Sequence, residues 1–170
     1  EGSFHVFTTG QRARWDLPLQ GYALKISPDG NDVEPLAHGL RAPNGFGIYE
    51  RDLFFVDNQG NWVGACKLSQ VIPGGFHGFP SSRPAPKNER RSADEVQPPA
   101  IWFPRELAPS SSGMETISDE RFGPFNGQLL VGDFQNAILT RVFLEKVNGR
   151  WQGAVFPFAR QFLSGVNRLA

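Results

Sequence analysis

The sequence has almost no cysteine and no excess of charge of either sign. Its single cysteine, Cys66, leaves no second thiol for an internal disulfide or a thiolate metal site. The 17 basic and 17 acidic residues cancel, so no net field attracts nucleic acid, and we expect no nucleic-acid partner. The longest apolar runs, such as Leu53–Val56, have four residues, whereas a bilayer needs ~20. We therefore expect no membrane-spanning segment.

Long helical patterns and several familiar catalytic motifs are also missing. No stretch of about a dozen residues keeps apolar side chains at helical spacing. The sequence contains no Gly-x-Ser-x-Gly elbow, no His-Glu-x-x-His pair and no phosphate-binding glycine loop. These absences give no support to a hydrolase of those classes or to a nucleotide-dependent enzyme.

Short β-type runs separated by turn residues make up the rest of the chain. The 19 glycines and 14 prolines supply frequent turns, and Asn148-Gly149 is typical of a type I′ β-hairpin. The pattern predicts strands at Phe4–Thr8, Tyr22–Ile26, Phe46–Tyr49, Leu53–Val56, Ala65–Val71, Gln128–Val131, Ile138–Leu144 and Trp151–Phe156. The chain is thus predicted to be all-β.

An internal repeat groups these strands. A basic residue, preceded by a small or apolar residue and followed by an aliphatic one, recurs at Lys25, Lys67 and Arg141, at intervals of 42 and 74 residues. Apolar runs ending in aspartate, Leu53–Asp57 and Leu129–Asp133, precede the second and third copies. Four short strands in each ~40 to 45 residues are typical of a β-propeller blade. We therefore predict approximate blades at residues 1–40, 41–100 and 101–163.

The longer interval contains an insertion, and the ring predicted from the repeat is incomplete. Residues 80–99 are rich in proline, serine and charge, which predicts an exposed loop. Residues 164–170 resemble the start of a further blade. Because a closed propeller needs ~4 to 8 blades, the sequence predicts a fragment of about three blades of a larger propeller.

Two glycine-rich motifs carry a resemblance to a known family. They are Gly39-Leu40-Arg41-Ala42-Pro43-Asn44-Gly45 and Pro73-Gly74-Gly75-Phe76-His77-Gly78-Phe79-Pro80. This pair resembles the hallmark of the soluble quinoprotein glucose dehydrogenase and sorbosone dehydrogenase family, whose members are six-bladed β-propellers. The later part of the chain is similar to dehydrogenase-like propellers of large environmental-bacterial proteins that often carry a haem c domain. The resemblance implies three blades of a six-bladed ring and a haem c domain as a partner.

The resemblance also implies cofactors and site residues. It implies a sugar or aldehyde dehydrogenase that uses pyrroloquinoline quinone (PQQ) and calcium. Carried over by position, Arg41 lies beside the quinone, and the carbonyls of Gly60 and Asn61 bind calcium. Ala42 replaces the asparagine of the family motif, and Gly60-Asn61 replaces its glycine-proline. The resemblance implies that the catalytic base histidine lies in a blade upstream of Glu1, so no catalytic residue is assigned.

Other interpretations remain open at this point. The alternatives are a non-catalytic propeller that binds a carbohydrate or a partner domain in a multidomain extracellular protein, and a calcium-dependent lactonase. Asp57 and Asp133 are typical of Asx-turns at strand ends. His77 and Cys66 are interpreted as structural, and the tryptophans as packing residues, with Trp62 the candidate ligand platform. The resemblance further implies a periplasmic or secreted protein.

Overall fold

The strands form antiparallel sheets with almost no helix. The structure, a computed structural model, describes residues 3–9, 18–60, 64–79, 95–159 and 165–166. Within these ranges there are three sheets, and a 3₁₀ segment covers Glu120–Phe125. The all-β class predicted from the sequence is confirmed. None of the described helices is long and apolar enough to cross a membrane.

The first sheet belongs to a compact unit made of residues 1–43 and 71–98. Its strands are β1 (Phe4–Phe7), β2 (Tyr22–Ile26) and β3 (Val33–His38), paired in that order and antiparallel. Its buried apolar residues come from β2, from β3 and the residues just after it, and from the segment that follows position 70. They are Tyr22, Ala23, Leu24, Ala37, Leu40, Val71, Phe76 and Phe79. Both glycine-rich motifs therefore supply part of the core of this unit, the first through Leu40 and the second through Phe76 and Phe79.

The second compact unit, residues 44–70 and 99–170, contains two four-stranded sheets. The first comprises β4 (Pro43–Tyr49), β5 (Asp52–Asp57), β6 (Lys67–Gln70) and β7 (Ile101–Trp102). The second comprises β8 (Ser111–Thr116), β9 (Leu129–Asp133), β10 (Ile138–Val147) and β11 (Arg150–Ala159). In both sheets the spatial order follows the chain order, as it does in a propeller blade.

The two sheets of this unit share one apolar core. Phe54, Val56 and Leu68 of the first sheet pack in a cluster with Val131 and Val142 of the second. Each large side chain buried in this way contributes about 1.5–3 kcal/mol relative to an exposed one. Residues on both faces of β5 and β6 are buried. This explains why Leu53–Val56 is a continuous apolar run and not an alternating one.

Two hairpin turns have the same geometry but different sequences. Asn148 and Gly149 both have positive φ angles, 51° and 77°, which confirms the predicted type I′ turn. Glu50 and Arg51, which join β4 to β5, also have positive φ angles, 45° and 72°. Residues with a Cβ atom rarely adopt this conformation, so turn-residue patterns give no signal there.

A polar contact links the two sheets at the edge of their shared core. Asp52 at the start of β5 accepts hydrogen bonds from Trp151 Nε1 at 2.7 Å and from Lys146 Nζ at 2.9 Å. The Lys146 ammonium also lies 4.7 Å from the centre of the Trp151 ring. Trp151 is buried and packs edge-on against Phe54 and Tyr49. One carboxylate thus orients the largest side chain of the core.

The Asp52 contact predicts an acid-dependent loss of stability. Hydrogen bonds from Lys146 and then Trp151 hold the pKa of Asp52 below its ordinary value of 3.8. As the pH falls below 3.8, the unfolded chain takes up this proton before the folded chain does, so the contribution is present above that pH and disappears below it. We expect Asp52→Asn to cost about 1 kcal/mol at pH 6, because the site is partly exposed.

Urea unfolding of the wild type and of Asp52→Asn at pH 6 and at pH 3 measures this effect. The difference between the two proteins should shrink at the lower pH. Glu34→Gln is a suitable control, because Glu34 pairs with Lys25 at an exposed position of another sheet. A difference for Asp52→Asn that stays constant with pH would contradict the assignment.

Several strands and segments depart from the sequence-based expectations. Strands β3, β7 and β8 were not predicted, and β10 and β11 extend further than predicted. Other expectations lie outside the described residues: Trp15, Asn61, Trp62, most of the insertion 80–99, and most of 164–170. The division into blades at 1–40, 41–100 and 101–163 remains a proposal.

Candidate functional site

The two glycine-rich motifs run side by side in the first unit. The end of β3 and the residues after it form backbone hydrogen bonds with the segment 74–79, although the two lie about 40 positions apart in the sequence. The backbone hydrogen bonds are Gly74 N to Leu36 O at 2.7 Å, His38 N to Gly75 O at 3.0 Å, His77 N to His38 O at 2.8 Å and Phe79 N to Gly39 O at 2.8 Å. We call this contact the motif junction.

Close backbone approach explains the glycine that opens the first motif. Gly39 has a φ angle of +82°, which favours glycine. A Cβ atom built there would lie 2.5 Å from Cδ2 of Phe76 and 2.8 Å from the backbone nitrogen of His77. Glycine at this position lets the two segments touch. The motif is thus a packing requirement of the junction as well as a mark of resemblance.

Arg41 lies directly after the motif junction and two residues before β4. Its backbone is held on both sides, because Leu40 N donates to Gly21 O at 3.1 Å and Thr9 Oγ1 donates to Arg41 O at 2.8 Å. The Arg41 side chain is half-buried. The fold therefore presents a guanidinium on a backbone that is anchored to the first sheet.

His77 and His38 belong to the packing of the junction. His77 is fully buried, and its backbone takes part in the junction. The ring of His38 lies 5.6 Å from that of Tyr22 and 5.3 Å from that of Phe76. These surroundings agree with the structural interpretation of His77.

A buried ion pair lies in the second unit, where β5 ends and β6 begins. Asp57 and Lys67 are directly opposed in the antiparallel register, with Lys67 Nζ 3.9 Å from Asp57 Oδ2. The two side chains are 2% and 5% exposed. Burial lowers the pKa of Lys67, and the Asp57 charge opposes that shift. The chain therefore holds two ionisable groups in a desolvated position.

Cys66, beside Lys67, contacts the opposite stem of the same loop. Its Sγ lies 2.6 Å from Gln59 Oε1 and 3.3 Å from Asn58 Oδ1, and the Gln59 N–H donates to it at 3.4 Å. The thiol also lies 3.4 Å from Pro109 O. Cys66 is buried in the apolar core, as the sequence predicted, but it additionally binds the polar residues that precede Gly60.

The neighbouring sheet shows what the equivalent aspartate does in an ordinary turn. Asp133 at the end of β9 accepts hydrogen bonds from the backbone nitrogens of Ser110 and Asn136, both at 2.6 Å. This confirms the turn interpretation of Asp133. Its opposed residue in the register is the buried, apolar Ile138. Asp57 is opposed by a lysine instead.

The register also corrects the alignment of the repeat. The sequence pattern equates Lys67 with Arg141, but Lys67 opposes the last residue of β5 whereas Arg141 opposes Leu130, three residues before Asp133. Arg141 lies between the rings of Phe125 and Phe156, at 4.8 Å and 5.0 Å from their centres. The two basic residues therefore occupy different places in their sheets, because the loop 58–66 is five residues longer than the loop 134–137.

The described residues of this loop can offer main-chain oxygens to a calcium ion. In the ranges described, no group of three or more His, Cys, Asp or Glu side chains is placed to hold a metal ion. The Asp57 carboxylate pairs with Lys67, and the side-chain oxygens of Asn58 and Gln59 contact Cys66. The Gly60 carbonyl is a hard oxygen donor of the kind that calcium takes, and Asn61 lies outside the described part.

The tryptophans divide between packing and exposure. Trp151 is buried against Phe54 and Tyr49, which confirms the packing interpretation for this residue. Trp102 is 47% exposed, and its packing against a neighbouring blade stays a prediction. The proposed ligand platform, Trp62, is not among the described residues.

Comparison with known proteins identifies the fold. No family model and no curated protein sequence matches the chain. Among solved structures, it is similar to a Thermus thermophilus protein described as an oxidoreductase (glucose dehydrogenase), with 20% identity and a TM-score of 0.70 over 98% of this chain and 51% of that one. It is also similar to the soluble aldose sugar dehydrogenase of Escherichia coli, with 18% identity and a TM-score of 0.67 over 94% of this chain and 51% of that one.

A third similar structure contains a quinone. It is the PQQ-bound aldose sugar dehydrogenase of Streptomyces coelicolor, with 16% identity and a TM-score of 0.65 over 88% of this chain and 42% of that one. The chain spans about half the length of these structures. The predicted fold, all-β and about three blades of a β-propeller, is confirmed by the similarity to these structures.

Proposed function

We propose that this chain is part of a quinone-dependent sugar or aldehyde dehydrogenase-like propeller. The observation that carries the proposal is the motif junction, which anchors Arg41 at the entry to β4. It occurs in a fold shared with a PQQ-bound aldose sugar dehydrogenase. The junction explains why both motifs are present together, and the residue that emerges from it has the chemistry that a quinone carboxylate requires.

Arg41 is proposed to bind and orient the quinone. A guanidinium donates two parallel hydrogen bonds to a carboxylate, and PQQ carries carboxylates. The half-buried position of Arg41 strengthens such a contact relative to one in bulk water. Because the Arg41 backbone is anchored, the position from which the guanidinium group reaches the quinone is fixed. When bound, the quinone supplies the hydride-accepting chemistry, and the chain supplies orientation and charge.

Gly60, with Asn61, is proposed to supply carbonyl oxygens to calcium. The polar side chains before Gly60 contact Cys66 and Lys67, so they stabilise the loop and leave main-chain donors for the ion. No residue of this chain is assigned as the catalytic base. A sugar or aldehyde substrate, a haem c domain as electron-accepting partner, and a periplasmic or secreted location belong to the same proposal.

A reconstitution assay tests the proposal. The full-length protein is incubated with calcium and PQQ, and reduction of an electron-accepting dye is followed after addition of an aldose or an aldehyde. Substrate-dependent dye reduction that requires both additions would support the dehydrogenase. Carbohydrate binding without dye reduction would instead support the alternative, a non-catalytic carbohydrate-binding propeller.

Replacement of Arg41 should weaken quinone binding selectively. Arg41→Ala removes a charge-assisted hydrogen bond and is expected to cost about 1.5–3 kcal/mol of PQQ affinity, or about 10- to 150-fold in Kd. Titration of the quinone by fluorescence quenching measures this. Arg105→Ala, which removes an exposed arginine, is the matched control. Equal Kd values for Arg41→Ala and the wild type would remove Arg41 from the site.

A further inference from the structure

Two equivalent sheet ends in the second unit are built differently. Both β5 and β9 end in a buried aspartate, and a register partner on the next strand faces each one. Ile138 fills that position opposite Asp133, and the Asp133 carboxylate bonds to backbone amides. Lys67 fills it opposite Asp57. An apolar side chain is therefore compatible with this position of the sheet.

A lysine at this buried position lowers the free energy of unfolding relative to an apolar side chain. Burying an ammonium and a carboxylate removes both from water, and their attraction often fails to offset that loss relative to apolar side chains. Ile138 shows the less costly arrangement in the same molecule. A buried pair that the fold itself does not require, beside a longer loop, indicates a role in that loop.

The pair closes the stem of the loop 58–66. Asp57 is the residue before the loop, and Lys67 is the residue after it. One step further in, Cys66 contacts both Asn58 and Gln59 across the same stem. Asp57, Asn58 and Gln59 on one side of the stem thus contact Cys66 and Lys67 on the other side. The residue that follows Gln59 is Gly60.

We propose that Lys67 is a positioning residue that, through its ion pair with Asp57 across the loop stem, orients the Gly60 carbonyl toward a bound cation. The assignment of the cation to Gly60 rests on the function proposed above. Lys67 itself does not contact the cation: its ammonium lies 3.9 Å from the Asp57 carboxylate, and this pair, together with the Cys66 contacts, fixes Asn58 and Gln59, which lead to Gly60.

A variant in which both residues of the pair are uncharged distinguishes a positioning role of Lys67 from a purely structural one. The double variant Asp57→Asn/Lys67→Met removes both charges and keeps similar side-chain volumes, so the sheet should remain folded. Lys25→Met is the matched control, because Lys25 pairs with Glu34 at an exposed position of another sheet. Two measurements on the full-length protein are made for each variant. They are hydrogen exchange at the Gln59 amide, which donates to Cys66 Sγ, without calcium or PQQ, and calcium affinity by calorimetry.

We expect the double variant to exchange the Gln59 amide at least 10-fold faster than the wild type and to bind calcium at least 10-fold more weakly, with Lys25→Met unchanged in both. Unchanged exchange in a folded double variant would overturn the positioning role. A cooperative urea transition establishes that the variant is folded. The single variant Lys67→Arg, which keeps the charge and its Asp57 partner, should retain part of the protection against hydrogen exchange. If exchange accelerates as expected but the wild type binds no calcium, the stem role stands and the proposed calcium site falls.

Discussion

A Gly39→Ala variant is expected to lose about 2–5 kcal/mol of the free energy of unfolding. Two penalties add at this position. A residue with a Cβ atom costs about 1–2 kcal/mol at the positive φ angle of Gly39. The added methyl group would also lie within 2.5–2.8 Å of the Phe76 ring and the His77 backbone, and overpacking of this kind typically costs about 1–3 kcal/mol. The second penalty is specific to the motif junction.

Gly30→Ala isolates the first penalty. Gly30 has a similar φ angle of +76°, but nothing lies within 4 Å of the Cβ atom that alanine would add. Urea unfolding should therefore show a loss of about 1–2 kcal/mol for Gly30→Ala and a clearly larger loss for Gly39→Ala. Equal losses in the two variants would mean that the segments 36–40 and 74–79 are not in close contact.

Breaking the buried ion pair from one side should be the other large effect. Lys67→Met leaves the Asp57 carboxylate 2% exposed without its cation, and loss of one partner of a buried pair typically costs about 3–5 kcal/mol. Asp57→Asn leaves the ammonium in the same position and should be costly for the same reason. The double variant should cost much less than the sum of the two, because it leaves no unpaired buried charge.

A double-mutant cycle in urea measures this coupling. We expect a coupling energy of about 2 kcal/mol or more between positions 57 and 67, since residues in direct contact are non-additive. The pair Lys25 and Glu34, at 3.4 Å but 45% and 63% exposed, serves as the comparison and should couple by well under about 1 kcal/mol. Additive losses at 57 and 67 would show that the two charges do not interact in the folded protein.

Local patterns predicted the strands that carry their own signal. The aromatic and β-branched run of β5 and the Asn148-Gly149 turn contain all the information that their conformations need. Strand β3 contains Pro35, and β8 is the small, polar sequence from Ser111 to Thr116, so neither has strong β propensity. They are strands because neighbouring strands complete their hydrogen bonds, which a local pattern does not contain.

The candidate site divides in a similar way. Arg41 and Gly60 were predicted because they belong to a motif or to its loop, and the structure adds why Gly39 must precede Arg41. Lys67 was predicted only as a member of a repeat. Its pairing with Asp57 depends on a register across a nine-residue loop, and the repeat alignment placed it differently.

The order of residues along the chain was enough to define the all-β class, the frequent turns and the two glycine motifs, because turn chemistry, strand alternation and glycine spacing act over a few neighbouring residues. The folded molecule was needed to show that the two motifs touch at Gly39 and that Lys67 is buried against Asp57. Such contacts join residues that the chain separates by ten to about forty positions. Their partners are selected by the packing of whole sheets, since a side chain is buried or exposed according to what the rest of the molecule places against it.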